Sequence, residues 1–261
     1  MIEIKTPAEV ELMREAGRVV AAIHDAVREA AAPGVRLDEL DPVARDVLAT
    51  HGATSPFLGY QPPFASIPFP GVICTSVNDA VLHGIPTSYR LREGDLLSID
   101  AGATLDGWTG DAAVTFPVGT GHPDDIRLAD VTTQALEAGI AAAQAGNRLG
   151  DVSAAVGAIA RAAGYGLHPD FGGHGSGRTM HEAPSVPNIG RPGRGLRLRP
   201  GLVIAIEPWF LAGGIDAYWI DDDGWTLRST EGSNGAHQEY TVAITDDGPV
   251  VLTVPCAGRS A

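Results

Sequence analysis

Two histidines lie seven residues apart in the segment GGHGSGRTMHEAP, which begins at Gly172. These are His174 and His181, and each is a possible metal ligand or general acid or base. The Glu182 that follows His181 suggests a zinc-protease helix, but no second histidine stands four residues after His181. Pro184 would also break such a helix. The segment is therefore predicted to be extended, and its two histidines are expected to have separate roles.

Four acidic residues stand at the ends of apolar, strand-like runs elsewhere in the chain. Asp100 ends the run LREGDLLSID, and Glu207 ends the similar run LRPGLVIAIE. Asp111 opens DAAVTF, and Glu239 opens EYTVAIT. The similarity of the runs indicates that these acids occupy equivalent positions in two related units.

The turn between the first two acids determines how they are placed. A hairpin that turns near Leu105 and Asp106 would put Asp100 and Asp111 directly opposite each other. A strict two-residue Asp-Gly loop would make them diagonal neighbours instead. Both alternatives put the two carboxylates on the same face of the sheet.

Four carboxylates on one face must be neutralised. Two carboxylates about 5 Å apart repel by about 3 kcal/mol at an effective dielectric of about 20. Two divalent cations would cancel four negative charges, and bridging carboxylates suit a metal pair about 3.5–4 Å apart. A neutral imidazole beside oxygen ligands favours Mn, Fe, Co or Zn, and His174 is the candidate. The alternative, acids that cap turns or pair with arginines, leaves their equivalent positions behind apolar strands unexplained.

The same order of segments occurs twice, about 110 residues apart. Helices are predicted over residues 7–32 and 37–50, and again over residues 128–145 and 151–163. GVRL and GNRL precede the second helix of each unit, and DGWT occurs at Asp106 and Asp223. The duplication predicts one α+β catalytic domain over residues 1–261, with halves of roughly 7–120 and 126–250. Its helices should pack on one face of a mainly antiparallel sheet.

The composition restricts the partners and the compartment. A net charge of −14 argues against nucleic acid and anionic membranes as partners. Cys74 and Cys256 are too few for a disulfide framework, so a reducing compartment is expected. The sequence has no evident export signal and no apolar run that could span a bilayer. We therefore expect a cytoplasmic monomer.

Seven motifs together resemble the type I methionine aminopeptidases, which have the pita-bread fold. They are IKTPAEVELMREAGRVVA, VNDAVLHGIP, LSIDAG, GDAAVTF, GHGSGRTMHEAP, AIEPW and QEYTVAIT. The resemblance covers nearly the whole chain and implies five ligands for two divalent metal ions (Co, Mn, Fe or Zn). The implied ligands are Asp100, Asp111, His174, Glu207 and Glu239. Asp111 and Glu239 would bridge the two ions.

The resemblance also implies a reaction, the removal of the N-terminal methionine from peptides and nascent proteins. A metal-bridging hydroxide would attack the first peptide bond, and Glu207 would transfer its proton to the leaving amine. His181 would contact the scissile carbonyl, and His83 would lie near the scissile nitrogen. Partners would be N-termini that begin with methionine, with transient contact with the ribosome. The implied methionine pocket consists of Tyr60, Phe69, Cys74, Met180 and Trp225.

The chain departs from the family pattern in three places. The segment between Gly59 and Cys74 is several residues longer than usual and is expected to reshape the pocket rim around Pro62. Leu82 stands where the family usually has cysteine. His237 and Tyr240, beside Glu239, replace the usual glutamine and histidine, so the surroundings of that ligand are expected to differ.

Two alternative functions remain open at this point. A proline-specific aminopeptidase or prolidase of the same fold would carry a similar ligand set, but such enzymes normally have an additional N-terminal domain. A non-catalytic binding protein on this fold would be expected to have lost metal ligands, whereas all five positions are filled here.

Overall fold

The computed structural model describes residues 2–254, so Cys256 lies outside the described residues. Within that range the chain forms four helices and thirteen strands. The helices are α1 (Pro7–Ala30), α2 (Leu37–His51), α3 (Pro123–Ala142) and α4 (Leu149–Ala163). The strands are β1 (Ile73–Val77), β2 (Ala80–Leu82), β3 (Leu96–Leu105), β4 (Trp108–Pro117), β5 (Gly173–Gly175), β6 (Glu182–Val186), β7 (Val203–Ile206), β8 (Trp209–Leu211), β9 (Tyr218–Ile220), β10 (Leu227–Ser229), β11 (Gly235–His237), β12 (Glu239–Thr245) and β13 (Gly248–Val251).

Eight of these strands form one main sheet. Its order is β1-β3-β4-β12-β7-β5-β6, and β13 pairs with β12 outside this path. Two smaller sheets have the orders β2-β10-β9 and β11-β8. The pairs formed by these strands across the described residues are antiparallel. The α+β class predicted from the sequence is thus confirmed.

The two predicted units correspond to the two sides of the main sheet. β3 pairs with β4 and β7 pairs with β12, and the two units meet where β4 pairs with β12. The GVRL and GNRL segments form equivalent bridges, from Arg36 to Arg90 and from Arg148 to Arg197. The internal symmetry is therefore visible in the backbone pairing as well as in the sequence.

Helix α3 begins at Pro123, five residues before the predicted start at Leu128. The His122 side chain accepts a hydrogen bond from the backbone N–H of Asp124 and so caps the helix. Proline is well suited to the first position of a helix because its missing N–H has no partner there in any case. The prediction missed the acidic stretch before Leu128 because that stretch lacks an apolar stripe. The histidine cap and the proline start the helix there instead.

The two DGWT segments have different local structures and lie in different sheets. Asp106 and Gly107 form a two-residue hairpin loop between the paired residues Leu105 and Trp108. Both loop residues have positive φ angles, of 50° and 76°, as a type I′ turn requires. Asp223 instead lies between β9 and β10, in the three-stranded sheet. The second DGWT is therefore not the structural counterpart of the first.

The helices cover one face of the main sheet through two apolar clusters. Leu97, Ile99 and Ala101 of β3 are buried in a cluster with residues of α1 and α2. Ile204 and Ile206 of β7 are buried in a second cluster with residues of α3 and α4. Since side chains alternate along a strand, the residues between these positions point to the opposite face. None of the helices in the described range is long and apolar enough to cross a bilayer.

Candidate active site

Asp100 and Asp111 are diagonal neighbours on the face of the sheet opposite the helices. Asp100 pairs with Ala113, and Asp111 pairs with Gly102, as a strict two-residue loop requires. Of the two registers that the sequence left open, the structure has this one. It keeps both carboxylates on one face.

Glu207 and Glu239 come from the second unit and meet the first pair. Tyr240 pairs with Ile206, so Glu239 stands across from Glu207, which follows directly after β7. Glu239 also pairs with Ala113, which brings it beside the aspartate-bearing hairpin. The contact between β4 and β12 therefore gathers acids from both halves of the chain.

His174, on β5, points its ring at three of these acids. Its Nε2 lies 3.9 Å from Asp111 Oδ2, 3.8 Å from Glu207 Oε1 and 3.9 Å from Glu239 Oε1. Its Nδ1 lies 2.9 Å from the carbonyl oxygen of Gly175, to which a protonated Nδ1 donates. With the proton on Nδ1, Nε2 presents a lone pair to the acids, which is the arrangement of a metal-binding histidine.

The acids are buried and incompletely hydrogen-bonded. Among the described residues, Asp100 Oδ1, Asp111 Oδ1 and Glu239 Oε1 are buried and have no hydrogen-bond partner. Burial, helped by the charge of Glu207 and opposed by His237, raises the pKa of Asp100 to about 7. Burial and the neighbouring carboxylates also raise the pKa values of Asp111 and Glu239 well above their usual range. Buried anions without partners are expensive, and a bound cation removes this cost.

Two groups of ligand atoms are close enough to hold a metal ion. One consists of Asp111, His174 and Glu239, and the other of Glu207, His237 and Glu239. Within each group the atoms lie within 4.8 Å of one another. A mixed set of carboxylate oxygens and imidazole nitrogens fits a transition-metal ion. The residues present therefore suit a divalent metal centre.

His237 is the member of these groups that the sequence did not assign to the site. It is 2% exposed, and its Nε2 lies 3.5 Å from Glu207 Oε2. Burial alone would raise the pKa of Glu207, but His237 and His174 lower it on balance. The sequence offered one indication that His237 faces the site. It stands two residues before Glu239, and residues at that spacing share a face in an extended chain.

His83 and His181 lie in the same cavity as the acids. The Nδ1 of His181 is hydrogen-bonded to the Tyr60 hydroxyl at 2.9 Å, and its ring lies 4.3 Å from that of His174. Withdrawal from water lowers the pKa values of His83 and His181 to about 4. Both rings are therefore neutral near pH 7.

The cavity has a volume of about 310 Å³ and joins the acids to an apolar pocket. The five predicted pocket residues all line it, together with Phe57, Phe64 and Phe171, which the sequence did not single out. Buried side chains from four separate segments form the apolar part: Phe57, Ala65, Phe69, Cys74, Met180 and Trp225. Burial raises the pKa of the Cys74 thiol, so this cysteine serves as an apolar group.

Comparison with known proteins agrees with this geometry. The model of metallopeptidase family M24 matches residues 11–246, and the chain belongs to this family. "Methionine aminopeptidase 1" of Mycobacterium tuberculosis is 48% identical over 257 residues, with 96% of this chain and 94% of that protein covered. The crystal structure of a methionine aminopeptidase from Thermotoga maritima superposes with a TM-score of 0.92 at 38% identity, covering 97% of this chain and all of that one. The predicted family and its pita-bread fold are thus confirmed.

A prolidase from Pyrococcus furiosus shares the fold at greater distance. It superposes with a TM-score of 0.74 at 24% identity, and the match covers 96% of this chain but 65% of the prolidase. The likeness at this identity concerns the fold alone. The two methionine aminopeptidases, by contrast, match over 94% and 100% of their own length.

Proposed function

We propose that this chain is a metal-dependent aminopeptidase that removes the N-terminal methionine from peptides and nascent proteins. The observation that carries this proposal is one cavity in which a buried set of metal-binding donors adjoins an apolar pocket. The donors suit peptide hydrolysis, and the pocket suits an unbranched, apolar side chain that contains sulfur.

Asp100, Asp111, His174, Glu207 and Glu239 would hold two divalent ions, of Co, Mn, Fe or Zn. Asp111 and Glu239 would serve both ions; Glu239 belongs to both groups of donor atoms and Asp111 to one of them. Ions bound there would lower the pKa of water and polarise the scissile carbonyl. The free α-amino group of a peptide would be a further ligand for such a centre, which would restrict the reaction to chain ends.

The neutral histidines would orient the peptide. The Tyr60 hydroxyl would donate to Nδ1 of His181. The ring proton would then stand on Nε2, where it could be donated to the oxygen of the scissile carbonyl. His83 would lie beside the scissile nitrogen. Glu207, which His237 and His174 keep ionised, would accept the proton of the attacking water and pass it to the leaving amine.

The side chain of methionine would enter the pocket formed by Phe69, Cys74, Met180 and Trp225, with Tyr60 at its edge. The single domain would act as a monomer in the cytoplasm. There it would meet new N-termini during transient contact with the ribosome.

Methionine release separates this function from the alternatives. Purified protein is stripped of metal, restored with Mn, Fe, Co or Zn, and assayed with Met-Ala-Ser and with Ala-Pro peptides. The expected result is metal-dependent release of methionine from Met-Ala-Ser. Cleavage of the proline peptide alone would point to a prolidase-type enzyme, and inactivity with every metal would point to a binding protein. Cleavage without metal would contradict the metal-dependent mechanism.

A further inference from the structure

Strand β12 changes its neighbour on one edge at Thr241. It pairs with β4 up to Tyr240 and with β13 from Val242 onward, while β7 occupies its opposite edge. One further step of the β4 ladder would pair Thr241 with Asp111, but the ladder ends at Tyr240. Thr241 therefore stands at a fork between two strands of the main sheet.

The Thr241 hydroxyl takes the place of the missing backbone pairing at this fork. The N–H of Asp111 donates to Thr241 Oγ1 at 3.0 Å, and the hydroxyl donates to the carbonyl oxygen of Asp111 at 2.8 Å. One side chain of the second half thus satisfies both backbone groups of a residue that lies 130 positions earlier, in the first half.

The backbone of Thr241 is held by a different segment. Its carbonyl oxygen accepts from the N–H of Leu252 at 2.8 Å, and its N–H donates to Thr253 Oγ1 at 3.2 Å. Helix α1 packs closely on this segment, since a Cβ atom at Gly17 would collide with the carbonyl oxygen of Leu252. Thr241 is therefore a fixed point from which the hydroxyl reaches Asp111.

These hydrogen bonds lie in the interior. Thr241 is 0% exposed and Asp111 is 3% exposed. A buried N–H or C=O that loses its partner is costly, because solvent does not replace the lost bond. Without the hydroxyl, the backbone at Asp111 would have to move to find other partners.

Such a movement would change the arrangement of two proposed metal ligands. The ligand atoms of Asp111 and Glu239 belong to one group whose members lie within 4.8 Å of one another. Glu239 lies on β12, two residues before Thr241. The hydroxyl therefore joins the strand that carries one of these carboxylates to the backbone that carries the other.

We propose that Thr241 is a positioning residue: its hydroxyl fixes Asp111 relative to Glu239 and so sets the spacing of two metal-binding carboxylates. This inference rests on the metal centre of the proposed function. It assigns to Thr241 a role in metal affinity that is separate from its contribution to stability.

The test is calorimetric titration of Mn into metal-free protein. Thr241→Val keeps the size of the side chain and removes the hydroxyl. The Kd for Mn is expected to rise by about tenfold or more, since outer partners of metal ligands contribute about 10- to 100-fold in affinity. Thr241→Ser keeps the hydroxyl and should bind Mn as the wild type does. Thr241→Ala provides the same test if Thr241→Val does not fold.

Thr132→Val is the matched control for a general loss of stability. Thr132, on α3, is 0% exposed, and its hydroxyl donates to the carbonyl oxygen of Leu128 at 2.8 Å. Its removal deletes a buried hydrogen bond in the cluster of α3 and α4, away from the acids. We expect a lower Tm for the metal-free protein and an unchanged Kd for Mn.

The outcomes distinguish the positioning role from the function. An unchanged Kd without the Thr241 hydroxyl would overturn the positioning role and leave the metal centre intact. An equal loss of affinity in Thr241→Ser or in Thr132→Val would also overturn it. A wild-type protein that binds none of Mn, Fe, Co and Zn would overturn the proposed function and the positioning role with it.

Discussion

The Tyr60 hydroxyl is hydrogen-bonded to Nδ1 of His181, 121 positions away in the chain, at 2.9 Å. The two rings also lie against each other, with centroids 5.3 Å apart. Tyr60 therefore orients the histidine proposed to contact the scissile carbonyl, in addition to lining the cavity.

Tyr60→Phe keeps the ring and removes this hydrogen bond. We expect kcat to fall by about tenfold, since a hydrogen bond of this kind contributes about 0.5–1.5 kcal/mol. KM should change little, because the ring still edges the pocket. Steady-state kinetics on Met-Ala-Ser provide the measurement, with Tyr165→Phe as control, since Tyr165 packs in the cluster of α3 and α4. An unchanged kcat in Tyr60→Phe would show that the bond does not position His181.

Lys5 ties the N-terminal segment to the active-site strand β6. Its Nζ lies 2.7 Å from Glu182 Oε2, and the lysine side chain is 2% exposed. Burial raises the pKa of Glu182, but the bonds from Lys5 and from the Thr179 and Arg178 backbones lower it on balance. The contribution of the ionised Glu182 to stability is therefore present at neutral pH. It is lost as pH falls through the native pKa of Glu182.

Lys5→Met is expected to lower the free energy of unfolding by about 3 kcal/mol at pH 7, because it removes the cation from a buried ion pair. Glu182 would keep only the bonds from the Arg178 and Thr179 backbones. Arg14→Met, which removes an exposed pair with Glu11, should cost less than about 1 kcal/mol. Urea unfolding of both variants and of the wild type measures the two losses in the free energy of unfolding. Equal losses in the two variants would refute a special role for Lys5.

The metal-free protein should lose stability as pH rises. The folded-state pKa values of Asp100, Asp111 and Glu239 are raised, whereas carboxyl groups of an unfolded chain ionise near pH 4. Between these values the folded state binds more protons, so raising the pH favours unfolding. We expect the Tm in EDTA to fall from pH 5 to pH 8 and added Mn to reverse the fall.

Asp100→Asn should reduce this pH dependence, because it removes one of the titrating groups. Asp106→Asn is the matched control, since Asp106 lies in the exposed hairpin loop. Scanning calorimetry across the pH range gives the result. A Tm that rises with pH in the metal-free protein would be inconsistent with buried, unpaired acids.

The acidic site could be predicted because its placement depends on short-range rules. Asp100 and Asp111 belong to one hairpin, and a side-chain period of two is sufficient to put them on one face. Glu207 and Glu239 followed from the internal repeat. The choice between opposite and diagonal pairing required the loop geometry, which the structure supplies as the two-residue loop Asp106–Gly107.

The rim of the pocket could not be predicted in the same way. The rim residues lie in irregular segments. Their contacts, such as Phe64 with Phe171 and Tyr60 with His181, join distant parts of the chain. No periodic pattern describes such contacts. The DGWT motif at Asp223 shows that a sequence match can also mislead. It matches the first copy in sequence, but it connects two strands of a different sheet.

The central claim is that acids from both halves of the chain form one metal centre that cleaves the first peptide bond. Its most direct test measures bound metal and methionine release in the same samples of wild type, Asp111→Asn and the control Asp106→Asn. We predict that Asp111→Asn alone loses bound metal and about 100-fold or more of the activity on Met-Ala-Ser, since even the outer partners of metal ligands contribute 10- to 100-fold. Full metal content and full activity in Asp111→Asn would contradict the account.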